Sequence, residues 1–250
     1  MKNANLADLF SQYDAASHAE DHELARRYAP IIRFDAREPF LPLVAGYTVF
    51  KQDAESPSFP LRVELHKLGY PDAAFAIEYA IWWDWDIQHL YELEHIWVYV
   101  NSRGQVVRGE ASAHGGHQSM AIDGRLNLTG DRLTLFSEPG KHAFAPIVEW
   151  LENGKADSIS NCGTKAGTSG LCTPPVIEGY IHSTPEDDRL IYAYLQTQAF
   201  MPSMEFTQIF DGLQDCLVSW SLLFKWIPSR IEWWKSELHR TTPFSKSSSS

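Results

Sequence analysis

Between Ile81 and Val100 the chain reads IWWDWDIQHLYELEHIWVYV, a run that sets Asp84, Asp86, His89, Glu92, Glu94 and His95 among Trp and Tyr side chains. Carboxylates and imidazoles at that density can hold a divalent cation or move protons. With Glu92 to Val100 as a strand, side chains alternate between faces. Glu92 and Glu94 then share a face with Ile96, Val98 and Val100, while Tyr91, Leu93, His95, Trp97 and Tyr99 take the other. Two carboxylates on an apolar face repel each other unless a cation or a proton lies between them. The plainer alternative puts both on the solvent side of an edge strand. His89 lies three residues before Glu92, where a turn can bring its imidazole to the same point, and Asp84 and Asp86 precede it on an expected loop. His89, Glu92, Glu94 and one of the two aspartates offer nitrogen and oxygen donors. That set suits Mg2+ first, with Mn2+ or Ca2+ as alternatives, better than a structural zinc, which favours thiolates and imidazoles.

Three further histidines are candidates for moving protons at such a site. His114 shares a strand face with Glu110 and Ser112, His117 follows the pair Gly115-Gly116, and His142 sits in PGKHAF at a strand-to-helix junction. Each has the alternative of an ordinary core or surface histidine. Trp82, Trp83, Trp85 and Trp97 are candidates for an aromatic pocket wall. With nine Trp, ten Tyr and thirteen Phe in the chain, they equally fit a large aromatic core. Phosphate-loop, dinucleotide-loop and zinc-protease motifs are absent, and Ser112 lies in A-S-A-H, outside any G-x-S-x-G elbow.

The elements that must carry these residues are mostly strands in the first 140 residues. Asn5 to Tyr28 reads as helix, IIRF and GYTVF as strands, Leu61 to Leu68 as an alternating strand, and FAIEYAIWW as another. Asn-Ser-Arg-Gly between two β-branched runs predicts a hairpin, and Thr129-Gly130-Asp131 a second. After Pro139 the pattern turns helical: AFAPIVEWLENG, DDRLIYAYLQTQAF, CLVSWSLLFKW and SRIEWWKSELH, the last two separated by Pro228. Lys155 to Pro175 reads as a long loop. The expected fold is mainly β, an antiparallel β-sandwich with flanking helices at the N-terminus and in the C-terminal third. It is expected as one domain over 1–250: a sandwich core with the metal site over 28–146, helical and loop additions over 147–240, and a disordered tail over 245–250.

The net charge of −11 argues against nucleic acid as a partner, since phosphate contacts need clustered Lys and Arg. No run of about 18 apolar residues predicts a transmembrane segment. The N-terminus carries no signal-peptide pattern, so the expected location is cytoplasmic, or secreted if an export leader has been removed. Cys162, Cys172 and Cys216 are expected as reduced thiols, with a Cys162–Cys172 disulfide as the lesser option.

HLYELEHIWVYV followed by EASAHGGH resembles the heptapeptide region and downstream histidine segment of the necrosis- and ethylene-inducing peptide-like cytolysins, and of a related group named after a vacuolar protein-sorting protein. His89 matches the first histidine of the family's G-H-R-H-D-W-E-H pattern, Glu92 its aspartate, Glu94 its glutamate and His95 the following histidine. Asp84 or Asp86 matches an upstream metal-binding aspartate. YAPIIRFDAREPFLP is similar to the family's opening segment and GKHAF to its later histidine segment, so the resemblance covers roughly residues 28 to 146. Glu92 stands where the family has aspartate, and the R-H-D-W core is absent. The resemblance implies a β-sandwich holding a divalent cation in a negatively charged cavity.

Three functions are therefore expected as alternatives. The first is a metal-dependent hydrolase or lyase acting on a small phosphorylated, glycosidic or isoprenoid-type substrate in an aromatic-lined pocket. The second is a cytolysin-like glycolipid-binding protein whose metal orders a recognition loop. The third is a purely structural cation. The partner in the first two is a small-molecule or lipid-like ligand.

Overall fold

The structure is a computed structural model that describes residues 4–113, 115–172 and 179–241. Chain order begins with α1 (Leu6–Gln12), a short 3-10 turn and α2 (Ala19–Arg27), so the predicted N-terminal helix is broken at Tyr13 and Asp14, both extended. Strands follow as β1 (Ile31–Phe34), β2 (Val44–Phe50), β3 (Ala54–Glu55), β4 (Arg62–Val63), β5 (Phe75–Trp85), β6 (His89–Val100), β7 (Val106–Ala113), β8 (Gly116–Ser119), β9 (Ala121–Ile122), β10 (Arg125–Leu126), β11 (Leu128–Thr129), β12 (Arg132–Ser137) and β13 (Phe144–Ala145). The last third holds α3 (Val148–Asn153), α4 (Lys155–Cys162), β14 (Gly170–Leu171), α5 (Pro185–Gln198), β15 (Gln208–Phe210), β16 (Leu217–Ser219) and α6 (Trp220–Thr241).

Two sheets form the sandwich. The larger runs β16-β2-β5-β6-β7-β8, with β14 extending it along the part of β6 that β7 leaves free. The smaller runs β11-β12-β1-β15, with β13 on β12. Most pairs are antiparallel; β1 with β12, β2 with β16 and β6 with β14 are parallel. The sheets meet closely where β7 crosses β12: a Cβ on Gly109 would stand 2.8 Å from a Leu133 methyl, so any larger residue would require the leucine side chain to shift.

Alternation sorts the β5–β6 hairpin into two faces. Ile77, Tyr79, Ile81 and Trp83 lie opposite Val98, Ile96, Glu94 and Glu92 and turn toward the smaller sheet. The other face is covered in two places. Trp97 and Tyr99 join Phe50, Val63 and Leu65 in a separate small core beneath the β3–β4 hairpin. Further along, Trp82 stacks on Tyr91 at 4.8 Å and meets Trp226 of α6. A strand covered on both faces reads as a nearly continuous apolar run, and β5 does.

Several expectations are corrected. Only Arg62 and Val63 of the predicted Leu61–Leu68 strand are paired, as a two-residue ladder with β3. Lys155 to Cys162 is helix α4 instead of loop. Leu217 to Ser219 is strand, and α6 runs unbroken through Pro228. Its buried residues Leu223, Trp226, Ile227, Ile231 and Leu238 recur at helical spacing, and that packing holds the turn that proline weakens. α5 begins on a Thr184–Asp187 capping box with Pro185 in its first turn. The three cysteines are free thiols. Among the described residues, no helix is long and apolar enough to cross a membrane. The tail expected over 245–250 lies outside the described residues.

Candidate metal centre

The turn between β5 and β6 is held from two sides. Ile87 N donates to Gly140 O (2.8 Å), and the carbonyls of Ile87 and Gln88 accept from Gly167 N and Ser169 N (2.8 and 2.9 Å). Within the turn, Asp86 Oδ1 accepts from Gln88 N at 2.6 Å. β6 then makes one irregular step: Tyr91 takes a left-handed backbone (φ 59°). That kink suspends the alternation rule locally, so His89 and Glu92 reach the same point although they stand three positions apart, an odd step.

The imidazole is fixed in one tautomer. A carbonyl oxygen can only accept, so His89 Nδ1–H donates to Tyr91 O at 2.7 Å. Nε2 therefore faces Asp86 Oδ1 at 3.7 Å and Glu92 Oε2 at 3.8 Å. Glu92 Oε1 is engaged by Leu93 N (2.8 Å), which aims Oε2 at the histidine. Asp86, His89 and Glu92 thus bring one donor atom each within 4.8 Å of one another. Ligands about 2.0 to 2.6 Å from a divalent ion lie roughly 3 to 4 Å apart at adjacent positions, so the spacing fits. A nitrogen lone pair facing two carboxylate oxygens is repulsive with nothing between them and favourable around a cation or a proton. The Nδ1-to-carbonyl bond is also the usual way a ligating histidine is oriented.

The electrostatics agree. Burial, with smaller contributions from Glu94 and Asp86, pushes the Glu92 carboxyl up while His89 and Lys141 pull it down, and the balance lies at about 7. Burial also pushes Asp86 up, but His89 and Lys141 outweigh it and hold that carboxyl below the ordinary range. Lys141, a residue the spacing did not single out, puts Nζ 2.7 Å from Asp86 Oδ2. The contact is an ion pair by distance, off the best hydrogen-bond direction.

The remaining predicted residues are placed elsewhere. Asp84 is on β5, on the opposite face from Glu92, where Arg230 of α6 grips it at 2.9 and 2.6 Å and Trp82 Nε1 donates to it at 3.1 Å. Of the two aspartates only Asp86 joins the cluster. Glu94 accepts from the Ser112 hydroxyl, whose oxygen accepts from His95 N. His142 is sealed in the core, stacked on Trp83 at 4.7 Å with Nε2 3.4 Å from Glu38. His117 is exposed on β8 and meets the edge of Trp97, on the face turned away from Glu92. His114 lies outside the described residues. Trp82, Trp83, Trp85 and Trp97 are all buried core, and Trp97 Nε1 donates to Glu78 at 2.7 Å. The aromatic pocket wall expected from them is not what they form.

A cleft of about 500 Å3 is walled by Gln118, Glu138, Phe144, Trp150, Asp157, Ser158, Asn161 and Lys165 among others, and none of Asp86, His89 and Glu92 lines it. Two connections join it to the cluster. Gln88 Nε2 donates to Asn161 Oδ1 at 3.3 Å, and the segment that carries Lys141 also supplies Glu138 and Ala143 to Ala145 of the wall. Trp150 is the exposed aromatic there. It stood in the sequence only as a residue of a predicted helix.

No family model matches the chain, and no curated protein does. Among solved structures it is similar to NLPPya in complex with glucosamine (18% identity, TM-score 0.33, 49% of this chain and 64% of that chain). It is also similar to Necrosis and Ethylene inducing Protein 2 from the causal agent of cocoa's witches' broom disease (18%, 0.32, 71% and 91%). A third similar structure is a mutant of NLPPya (13%, 0.30, 80% and 93%). The structural neighbours are necrosis- and ethylene-inducing proteins. The likeness is distant, and the chain spans 64% of the length of the first of them.

Proposed function

We propose that Asp86, His89 and Glu92 hold a divalent cation, and that the protein uses it to bind a small hydroxyl-bearing or anionic head group whose remaining atoms lie in the cleft beside Trp150. The observation that carries this reading is the fixed His89 tautomer, with Nε2 aimed between two carboxylate oxygens. Three protein donors leave coordination positions open on an ion that prefers six or more, and oxygen ligands are what Mg2+, Mn2+ and Ca2+ take there. The cleft wall offers amide, hydroxyl and carboxylate groups around one exposed indole, a lining suited to polar rings.

Recognition is preferred to a hydrolase or lyase reaction on a specific ground. Acid–base catalysis needs a proton carrier within hydrogen-bond reach of the bound ligand. Of the described histidines expected to serve, His142 is stacked in the core and His117 faces away; His114 lies outside the described residues. Lys141 is committed to Asp86. Mg2+ remains the first expectation for the ion.

Titration calorimetry with Mg2+, Mn2+ and Ca2+ tests the site. Wild type binds one ion, while His89→Ala and Glu92→Gln each weaken it by about tenfold or more. Equal binding by all three proteins removes the proposal. Sugars and phosphorylated sugars are then titrated with the ion present and after chelation. Binding in the first condition and its loss in the second supports recognition through the cation. An ion that raises only the melting temperature, with no ligand binding, reduces it to a structural cation.

A further inference from the structure

We infer that Lys141 is a built-in counter-ion of this centre, holding Asp86 in the cation-free protein and keeping the affinity for a divalent ion low. The inference rests on reading Asp86, His89 and Glu92 as cation donors, and goes beyond it to what sets the strength of binding.

The ammonium group is placed there by the backbone. Gly140 N donates to Glu38 Oε2 at 2.7 Å, and Gly140 O accepts from Ile87 of the metal turn at 2.8 Å. Lys141 N and His142 N both donate to Glu138 O (3.3 and 2.9 Å), and His142, in a left-handed conformation, is anchored on Trp83. These bonds fix the backbone from which the Lys141 side chain reaches Asp86. Its side chain is 11% exposed and that of Asp86 is fully buried.

The two oxygens of Asp86 are divided. Oδ1 faces His89 Nε2 at 3.7 Å, on the side where an ion would lie, and Oδ2 carries Lys141 Nζ at 2.7 Å. One carboxylate therefore faces the imidazole with one oxygen and the ammonium with the other. In the absence of an ion, the ammonium offsets part of the repulsion among Asp86, Glu92 and Glu94. An arriving divalent ion meets a fixed like charge a few ångströms away in a poorly solvated site, where such repulsion is strong. The other charged groups acting on Lys141, Glu92 and Glu138, are both acidic. They keep it charged and in place without relieving that repulsion.

Titration calorimetry of the whole chain with Mn2+ at constant ionic strength reads this directly. Lys141→Gln is expected to bind Mn2+ about tenfold more tightly than wild type, and Lys141→Arg, which keeps the charge, to stay within about threefold. Lys141→Met, which keeps most of the aliphatic stem, serves as a second neutral variant should Lys141→Gln fold poorly. Without metal, the neutral variants melt below wild type, and saturating Mn2+ narrows that gap. Unchanged or weaker binding by both neutral variants overturns the inference while leaving the cation site standing. A tenfold gain in Lys141→Arg as well also overturns it, because the charge is then not the cause. If neither wild type nor any variant binds Mn2+, the cation reading itself falls.

Discussion

Arg230→Ala and the pair Asp84→Asn and Asp86→Asn separate a structural aspartate from a ligating one. Arg230 donates to Asp84 through Nε and Nη2 at 2.9 and 2.6 Å, and its guanidinium lies 4.4 Å from the Trp233 ring. The two side chains are only 12% and 7% exposed, so solvent screening removes little of the interaction. Deleting the arginine strands a buried carboxylate with Trp82 Nε1 as its remaining donor. Breaking one partner out of such a pair costs about 3–5 kcal/mol, and the lost cation–π contact adds roughly 0.5–1 kcal/mol. At about 2–4 °C per kcal/mol for a chain of this size, the melting temperature falls by roughly 7–24 °C. Asp84→Asn should lose less stability, because an amide oxygen still accepts from Trp82 and Arg230, and should bind Mn2+ as wild type does. Asp86→Asn should lose about tenfold or more in Mn2+ affinity. Urea unfolding and calorimetry on the same preparations give both readings. An Arg230→Ala protein within about 1 kcal/mol of wild type refutes the reasoning. Asp84→Asn weakening Mn2+ as much as Asp86→Asn refutes it equally.

Three other outcomes are expected. Gly140→Ala places a Cβ at φ 68° and 2.8 Å from both Ile87 and Cys162, so backbone strain and overpacking together cost about 2–4 kcal/mol in urea unfolding. Trp97→Phe leaves the buried Glu78 without its indole donor and destabilises by about 1–3 kcal/mol; a change under about 0.5 kcal/mol contradicts that. His95 gives a pH signature. Burial lowers its ring to about 3, against about 6.5 in the unfolded chain, so below that value the unfolded state takes up a proton the folded state refuses. Its contribution is complete above about pH 6.5 and is lost as pH falls toward 3, by up to about 1.4 kcal/mol per unit. The stability difference between wild type and His95→Leu should therefore shift over that window and stay flat above it.

How far the sequence could be read depended on which rule governed each segment. Alternation placed Glu94, Ile96, Val98 and Val100 on one face and Trp97 and Tyr99 on the other, and the two cores divide the β6 side chains in that way. The rule carries no information about what covers a face. The tryptophans therefore suited a cavity wall as well as a core, and only the β3–β4 hairpin and α6, brought from elsewhere in the chain, decide for the core. Pro228 marked a helix end by local propensity; the buried stripe from Leu223 to Leu238 continues past it because tertiary packing outweighs one lost hydrogen bond.

The candidate cluster was legible for a different reason, and incomplete for a related one. A strand rule alone sends His89 and Glu92 to opposite faces, so bringing them together required a break between them. The break is Tyr91, whose left-handed backbone nothing in its residue type announces, since a non-glycine residue there is uncommon. The same kink turns the Tyr91 carbonyl onto His89 Nδ1 and so fixes which nitrogen faces the carboxylates. Tyr91 is itself held by stacking on Trp82, which meets Trp226 of α6. Trp82, one of the four tryptophans that looked like a pocket wall, thus acts on the cluster from behind, by packing on the one backbone step that lets its donors meet. Lys141 escaped notice because its segment drew attention to His142. In the fold the two exchange importance: the histidine stacks in the core and anchors the loop, and the lysine reaches Asp86.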